Sequence, residues 1–533
     1  MNSSSDPFDA LQPIGGPELF IGLVGPIGAG LSDVCEILSE KLSAFGYETC
    51  VVQLSSLIRE IDRYRDIPTD PEDDRIEKHM DAGTQLREEM ERGDILALMS
   101  LLEVRYFRQE KHGDPNRTVP RQAYIFRSLK HPEEVGVLRE IYGRLFFLIS
   151  AYSPKSKRED MLKRIIARSH GDSDEEKYRE MAVHLINRDE EEEGTKLGQD
   201  VSDAFPLADL FLHTVSRPKI RNQISRFVDA IFGNPFLTPT KPEMGMYLAR
   251  SAAFRSADLS RQVGAAICDD EGEVLAIGCN EVPKAFGGSY WPSDEHDDRD
   301  FMRGIDSSVE YKKSILQEII KKFKEKGLLS EKIDDQELKK LKESIESGEF
   351  QELLSGGQIF DLLEFGRPVH AEMSAITSAA RRGVSIQNKT LYCTTFPCHL
   401  CARLIIASGI KKVIYIEPYP KSKVKDLYSD SICVDPESKD PKRVNFLPFE
   451  GIAPRRYQEL FGKPKRKNDD GSAIKWRVTK DKSPRVRRLI LSYSMLEQKI
   501  VAGLGRSLNE KSFSLVTDRL LGKGEEDTDE KKH

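Results

Sequence analysis

Two α/β domains in tandem are the fold that the sequence predicts. Three observations carry that expectation. The chain has 533 residues, too many for one ordinary core. Short apolar runs alternate with amphipathic helical patterns in both halves. A stretch with three prolines, Asn234–Pro242, separates the two alternations.

The expected layout is a flexible lead-in over 1–18, a first domain over 19–235, a second over 236–500, and a partly disordered tail over 501–533. Within the first domain, Leu19–Val24 reads as a buried strand, followed by a glycine-rich turn and a helix opening at Leu31. Thr49–Leu54, Gln122–Phe126 and Arg144–Ser150 are the next strand patterns, and Arg217–Phe232 is a helix closed by Gly233. The acidic stretch Asn187–Glu193 reads as a solvated loop. The second domain opens with a helix, Gly245–Arg255. A hairpin follows, Gln262–Cys268 and Glu273–Cys279, turning at Asp269–Gly272. The charged stretch 294–355 carries helical periodicity at Ser314–Lys326 and Gln336–Glu346 and reads as an inserted arm. Helix, strand, helix and strand then follow at Ala371–Arg382, Thr390–Thr394, His399–Ser408 and Lys412–Ile416.

Composition narrows the function classes. Lys+Arg 81 against Asp+Glu 88 leaves a net charge of −7, which argues against a surface coated for nucleic acid. No run of about 18 apolar residues exists, so no membrane-spanning helix is expected. Met1–Asp9 is polar and does not read as a secretory signal. Of 8 cysteines, only Cys398 and Cys401 stand at metal-ligand spacing. Such sparse use suits a reducing cytoplasm.

The chemistry concentrates in His370-Ala371-Glu372 and Pro397-Cys398-His399-Leu400-Cys401. This H-x-E…P-C-x-x-C pattern is that of the zinc deaminases. One imidazole and two thiolates balance Zn²⁺ in formal charge and leave a fourth tetrahedral position for water. Cys398 and Cys401 lie three apart, on one side of a first helical turn. Glu372, two residues from His370, is the expected proton carrier rather than a ligand.

Residues 245–291 and 366–418 resemble the deoxycytidylate deaminase family of the cytidine-deaminase fold. The resemblance rests on RSADLSRQVGAAICDDEGEVLAIGCNEVP (255–283), HAEMSAI (370–376) and TTFPCHLCARLIIASGIKKVIYIEPY (394–419). It implies an α/β/α second domain, and it implies that Asn280 contacts the nucleotide sugar. The sequence departs from the family text at Ser374 and Glu281. The whole layout resembles a bacterial family of two-domain anti-phage deaminases, which convert dCTP, and often dCMP, to the uracil forms. That resemblance implies a homo-oligomer and, in some members, an inhibitory small RNA. The segments 418–430 and 446–461 resemble extensions of that group. Their cations Lys421, Lys423, Arg455 and Arg456 are candidate phosphate contacts.

The turn Gly25-Pro26-Ile27-Gly28-Ala29-Gly30-Leu31-Ser32 lies between strand and helix, as in a P-loop. It implies a kinase-like three-layer first domain. Leu31 stands where a working NTPase keeps lysine, so phosphoryl transfer is not expected. Gly25, Gly28, Gly30 and Ser32 either cradle a regulatory nucleotide or simply join strand to helix. The expected function is zinc-dependent deamination of deoxycytidine nucleotides. The alternative is a deaminase that edits RNA or single-stranded DNA, for which the basic clusters Lys463–Lys467 and Arg485–Arg488 speak.

Overall fold

The computed structural model describes residues 16–190, 192, 197–328, 340, 362–419, 422–434, 440–462, 466–485, 493–511 and 513. The chain divides into two compact units, Met1–Glu243 with Glu450–His533, and Met244–Phe449. The chain returns to the first unit at residue 450, where the sequence places the second domain as far as 500.

The first unit is built on β1 (Leu19–Val24), β2 (Glu48–Gln53), β3 (Gln122–Leu129), β4 (Phe146–Tyr152) and β5 (Leu210–His213). They pair in parallel in the order β5-β4-β1-β3-β2. All six residues of β1 are buried, as its continuous apolar run requires of a central parallel strand. Helices α1 (Leu31–Ser43), α2 (Glu72–Met90), α3 (Ile95–His112), α4 (Pro132–Tyr142), α5 (Lys155–Ser169), α6 (Arg179–Glu190) and α7 (Arg217–Ile231) fill the crossovers and the end of this layer.

Three expectations fail in this unit. Residues 187–190 are not a solvated loop but the last turn of α6, and Asp189 is buried. Glu18, placed in the lead-in, is buried too; it takes hydrogen bonds from Arg108, Tyr493 and the Val119 N–H. The segment after 450 adds a strand, Gly451–Ile452, antiparallel to β5. Its helix Tyr493–Glu510 then buries Val501, Leu504 and Leu508, so the first turns of the expected tail are core. The fully buried Arg108 joins that helix to the sheet layer by pairing with both Glu18 and Glu497.

The second unit begins within helix α8 (Lys241–Ala253). Strands β6 (Gly264–Cys268) and β7 (Val274–Cys279) form the expected antiparallel hairpin. Strand β8 (Thr390–Thr395) joins β6 antiparallel. The sheet continues in parallel through β9 (Lys412–Glu417), β11 (Val444–Pro448) and β10 (Ile432–Cys433). The inserted arm begins with α9 (Ser307–Glu325); the helix expected at Gln336–Glu346 lies outside the described residues. Helices α10 (Ala371–Arg381) and α11 (His399–Ala407) cover the sheet beside the site. The core gathers Ala371, Ala375, Ile267, Leu391, Ile405 and Phe446. Small alanines on α10 allow it to lie close to β7, and Gly278 completes the fit. A Cβ at Gly278 would stand 2.3 Å from the Ala371 carbonyl oxygen, a distance no side chain tolerates.

Candidate active site

Two helix starts converge in the second unit. His370 caps α10 and Cys398 caps α11, both with extended backbone. Strand β8 delivers Thr395-Phe396-Pro397 to the start of α11, and Pro397 holds the preceding Phe396 to extended backbone, so the helix starts only after it. Cys401 follows one turn on. The result is His370 Nδ1 at 3.3 Å from Sγ of Cys398 and 3.3 Å from Sγ of Cys401. All three ligand atoms lie within 4.8 Å of one another. Zinc held tetrahedrally, with Zn–S about 2.3 Å and Zn–N about 2.0 Å, needs N···S edges of about 3.5 Å. The one-nitrogen, two-sulfur set therefore fits Zn²⁺ in donor chemistry and in spacing.

Charge agrees. The hydrogen bond from Cys401, then the His370 ring, hold the Cys398 thiol well below its usual range. The same pairing with Cys398, together with burial, pushes Cys401 up. Two thiols this close both ionise only around a cation. The Cys398 interaction in turn raises His370. Glu372 is buried on the first turn of α10; burial foremost, then the Cys398 charge, raises its carboxyl.

A cleft of about 320 Å³ opens onto His370, Glu372 and Cys398. Asn280 lines it, but its amide is engaged: Oδ1 accepts from Val263 N at 2.7 Å and Nδ2 donates to the Arg261 carbonyl at 2.7 Å. Its neighbour Glu281 accepts the Ala257 N–H at 2.9 Å. These two residues pin segment 257–263 to the end of β7. Glu281, one of the departures noted in the sequence, thus has a structural task. The segment carries Arg261 into the cleft, with its guanidinium 5.4 Å from the Tyr419 ring centroid. Lys312 of α9 lines the same cleft. Sequence reasoning singled out neither cation. Arg261 lay inside the matched text RSADLSRQ, and Lys312 is one of many lysines on a charged helix.

The expected phosphate contacts divide. Lys423 is exposed and does not line the cleft. Its neighbour Ser422 donates to the Pro397 carbonyl at 2.9 Å, which keeps it beside the metal set. Lys421 lies outside the described residues. Arg455 and Arg456 belong to the other unit and line a different cavity. There both guanidiniums pair with Asp209, at 3.2 and 3.1 Å, and neither lines the zinc cleft. Of the basic clusters, 463–465 and 486–488 lie outside the described residues.

At the glycine-rich turn, Gly28 and Gly30 adopt φ of 83° and 70°, which glycine allows without strain. The Ile27 N–H donates not to a ligand but to Asp189 Oδ2 at 2.6 Å. Lys130 on the far end of β3 reaches Asp189 at 2.7 Å and the Gly25 carbonyl at 3.1 Å. Lys130 thus contacts the turn from a position 105 residues away in sequence. Ser32 Oγ accepts from Arg127 at 2.8 Å. A cavity of about 430 Å³ adjoins Gly25, Gly28, Gly30 and Ser32.

With this geometry in place, comparison with known proteins defines the class. Residues 239–417 match the family model of the cytidine and deoxycytidylate deaminase zinc-binding region. The matched region contains His370, Cys398 and Cys401, and Zn²⁺ is the metal this set takes.

Among relatives the likeness falls on deoxycytidylate deaminases. A segment of 55 residues is 53% identical to deoxycytidylate deaminase of Enterobacteria phage T4, covering 10% of this chain and 28% of that protein. The Mus musculus deoxycytidylate deaminase is 24% identical over 222 residues, 42% of this chain and 82% of its own. The dCMP deaminase of cyanophage S-TIM5, solved in complex with dCMP and dUMP, aligns at 17% identity with a TM-score of 0.21, covering 39% of this chain and 98% of that one. The chain spans less than a third of the length of the phage relatives it matches, 29% and 28%. Among the described residues no helix is long and apolar enough to cross a membrane.

Proposed function

We propose that this chain hydrolyses the amino group of deoxycytidine nucleotides, converting dCMP and dCTP to the uracil forms. One observation carries the reading: a His370–Cys398–Cys401 set with all ligand atoms within 4.8 Å, and the buried Glu372 beside it in a nucleotide-sized cleft.

Zinc bound by these three side chains supplies the Lewis acid that makes water a nucleophile near neutral pH. Glu372 handles the protons. It takes one from the attacking water and passes it to the ring nitrogen next to C4. It then moves the second water proton, from the C4 hydroxyl, to the amino nitrogen, so that the C4–N bond breaks, ammonia leaves and C4 becomes a carbonyl. Burial suits Glu372 to hold a proton between these transfers. Phe396 and Tyr419 line the cleft as aromatic walls, and Arg261 and Lys312 are the phosphate partners in this reading. Asn280 orders the wall that meets the sugar.

The resemblance to two-domain anti-phage deaminases extends the reading to depletion of dCTP as a defence. A homo-oligomer, an inhibitory small RNA and a regulatory nucleotide at Gly25, Gly28, Gly30 and Ser32 belong to that extension. The test is ammonia release by the purified, zinc-loaded protein from dCMP, dCTP, CTP, deoxycytidine and single-stranded DNA. Release from dCMP and dCTP supports the reading; release from the polymer alone contradicts it.

A further inference from the structure

Away from the zinc cleft, the first unit contains a cavity of about 690 Å³ whose wall is dominated by arginine. Arg139, Arg144, Arg455, Arg456 and Arg485 all line it, and Glu459 is the single acid among its described lining residues. Arg456 is held hard in place. Its Nε lies 3.1 Å from Asp209 and its Nη1 2.8 Å from Glu459; the guanidinium sits 4.7 Å from the Phe147 ring centroid. Arg455 reaches the same Asp209 at 3.2 Å and the Leu207 carbonyl at 3.1 Å. Arg139 approaches Asp209 at 3.8 Å.

One buried carboxylate therefore serves three guanidiniums, while Asp209 also accepts the Leu148 N–H at 2.8 Å. Among the described residues five guanidiniums meet two carboxylates here, Asp209 and Glu459, so arginine outnumbers acid at this cavity. The crowding is felt: burial, with Arg455 and Arg456 opposing the help from Asp209, lowers Arg139 to about 10. Arg144 and Arg485 are exposed and stand at the rim. Arg485 is seated deliberately. Its backbone N–H donates to the Ile231 carbonyl at 2.9 Å, and its stem passes so close over Gly233 that a Cβ there would lie 2.1 Å from Cδ.

Uncompensated cations held together in one cavity are a fold-imposed cost unless an anion relieves them. Guanidinium forks match phosphate oxygens two at a time. The cavity has the size of a small-molecule site. A single phosphate would leave part of the excess unpaired, whereas a triphosphate brings three to four negative charges. We infer that this arginine cavity binds a triphosphate group, either as free polyphosphate or as the tail of a nucleotide. The site shares no lining residue with the glycine-rich turn and does not depend on the deaminase reading.

Calorimetric titration of the full chain at low salt tests this. Inorganic tripolyphosphate, orthophosphate and ATP are each added to the wild type and to the double variant R144A/R485A. The expected result is saturable tripolyphosphate binding, at least tenfold weaker orthophosphate binding, and at least a tenfold loss of tripolyphosphate affinity in the double variant. ATP binding no tighter than tripolyphosphate identifies free polyphosphate as the ligand; tighter ATP binding, lost in the same variant, identifies a nucleotide. Hydrogen exchange on the wild type gives a second readout that needs no variant: tripolyphosphate should protect residues 139–145 and 454–462. Absence of saturable binding, unchanged affinity in the folded double variant, or protection confined to other segments overturns the proposal.

Discussion

Asn280 Oδ1 accepts the backbone N–H of Val263 at 2.7 Å, while its Nδ2 donates to the Arg261 carbonyl at the same distance. The side chain is thus a clamp between the end of β7 and the segment that forms one wall of the cleft. Asn280→Ala removes two part-buried hydrogen bonds, from the Val263 N–H and to the Arg261 carbonyl, a cost of about 1–3 kcal/mol for the pair. The expected outcome is a rise in KM for dCMP of about tenfold or more, with zinc content unchanged. Steady-state kinetics beside metal analysis checks it.

Arg261 gives a sharper test of substrate class. It lines the cleft against Tyr419, and the proposed reading assigns it to phosphate. Arg261→Ala should lower kcat/KM for dCMP by about 10–100-fold, the worth of one charged contact of roughly 1.5–3 kcal/mol. Activity on deoxycytidine, which has no phosphate, should change little. Equal losses on nucleotide and nucleoside would remove Arg261 from that role.

In the first unit, burial pushes the Glu134 carboxyl up to about 7 from an ordinary 4.5. Its Oε2 accepts the N–H groups of Lys130 and His131 at 2.6 and 3.1 Å, while Oε1 is buried without a partner. A carboxyl raised on folding binds its proton more tightly folded than unfolded. Stability is therefore lost as pH climbs from about 4.5 through about 7, by an amount on the order of 3 kcal/mol at most. Glu134→Gln keeps an acceptor for both N–H groups and removes the titration. Denaturant midpoints measured at pH 5 and pH 8 should lie closer together in the variant, with the gain at pH 8.

Glu497 tests a part of the chain that the sequence assigns to the second domain and the structure places in the first unit. Both oxygens of this buried carboxylate face Arg108. Glu497→Ala leaves Arg108 with Glu18 alone and should destabilise the first unit by about 3–5 kcal/mol, read as a lower melting temperature. An unchanged melting temperature would mean that the helix Tyr493–Glu510 is not part of that core.

What was legible in the sequence follows the range of the interactions involved. β1, the hairpin β6–β7 and the helices bearing His370 and Cys398 announce themselves through local periodicity and turn residues, and their bounds in the structure differ by a few residues at most. The metal set was legible because three ligands and a proline occur in two short runs. Contacts made across long stretches of chain were not. Nothing near Leu31 signals that Lys130 and Asp189 meet at the glycine-rich turn. Nothing in 446–461 signals that its short strand joins β5, which takes Arg455 and Arg456 to Asp209 instead of to substrate. Charge alone made Asn187–Glu193 look solvated, yet Asp189 is buried because Lys130 and the Ile27 N–H satisfy it.

The central claim is that Glu372 carries protons for a metal held by His370, Cys398 and Cys401. Glu372→Gln tests it most directly, because glutamine keeps the size of the side chain and removes its ability to exchange a proton. The account predicts a variant that retains one zinc per chain by metal analysis and loses ammonia release from dCMP by a factor of at least about 10²–10⁴. Turnover within a fewfold of the wild type, with zinc in place, would contradict it.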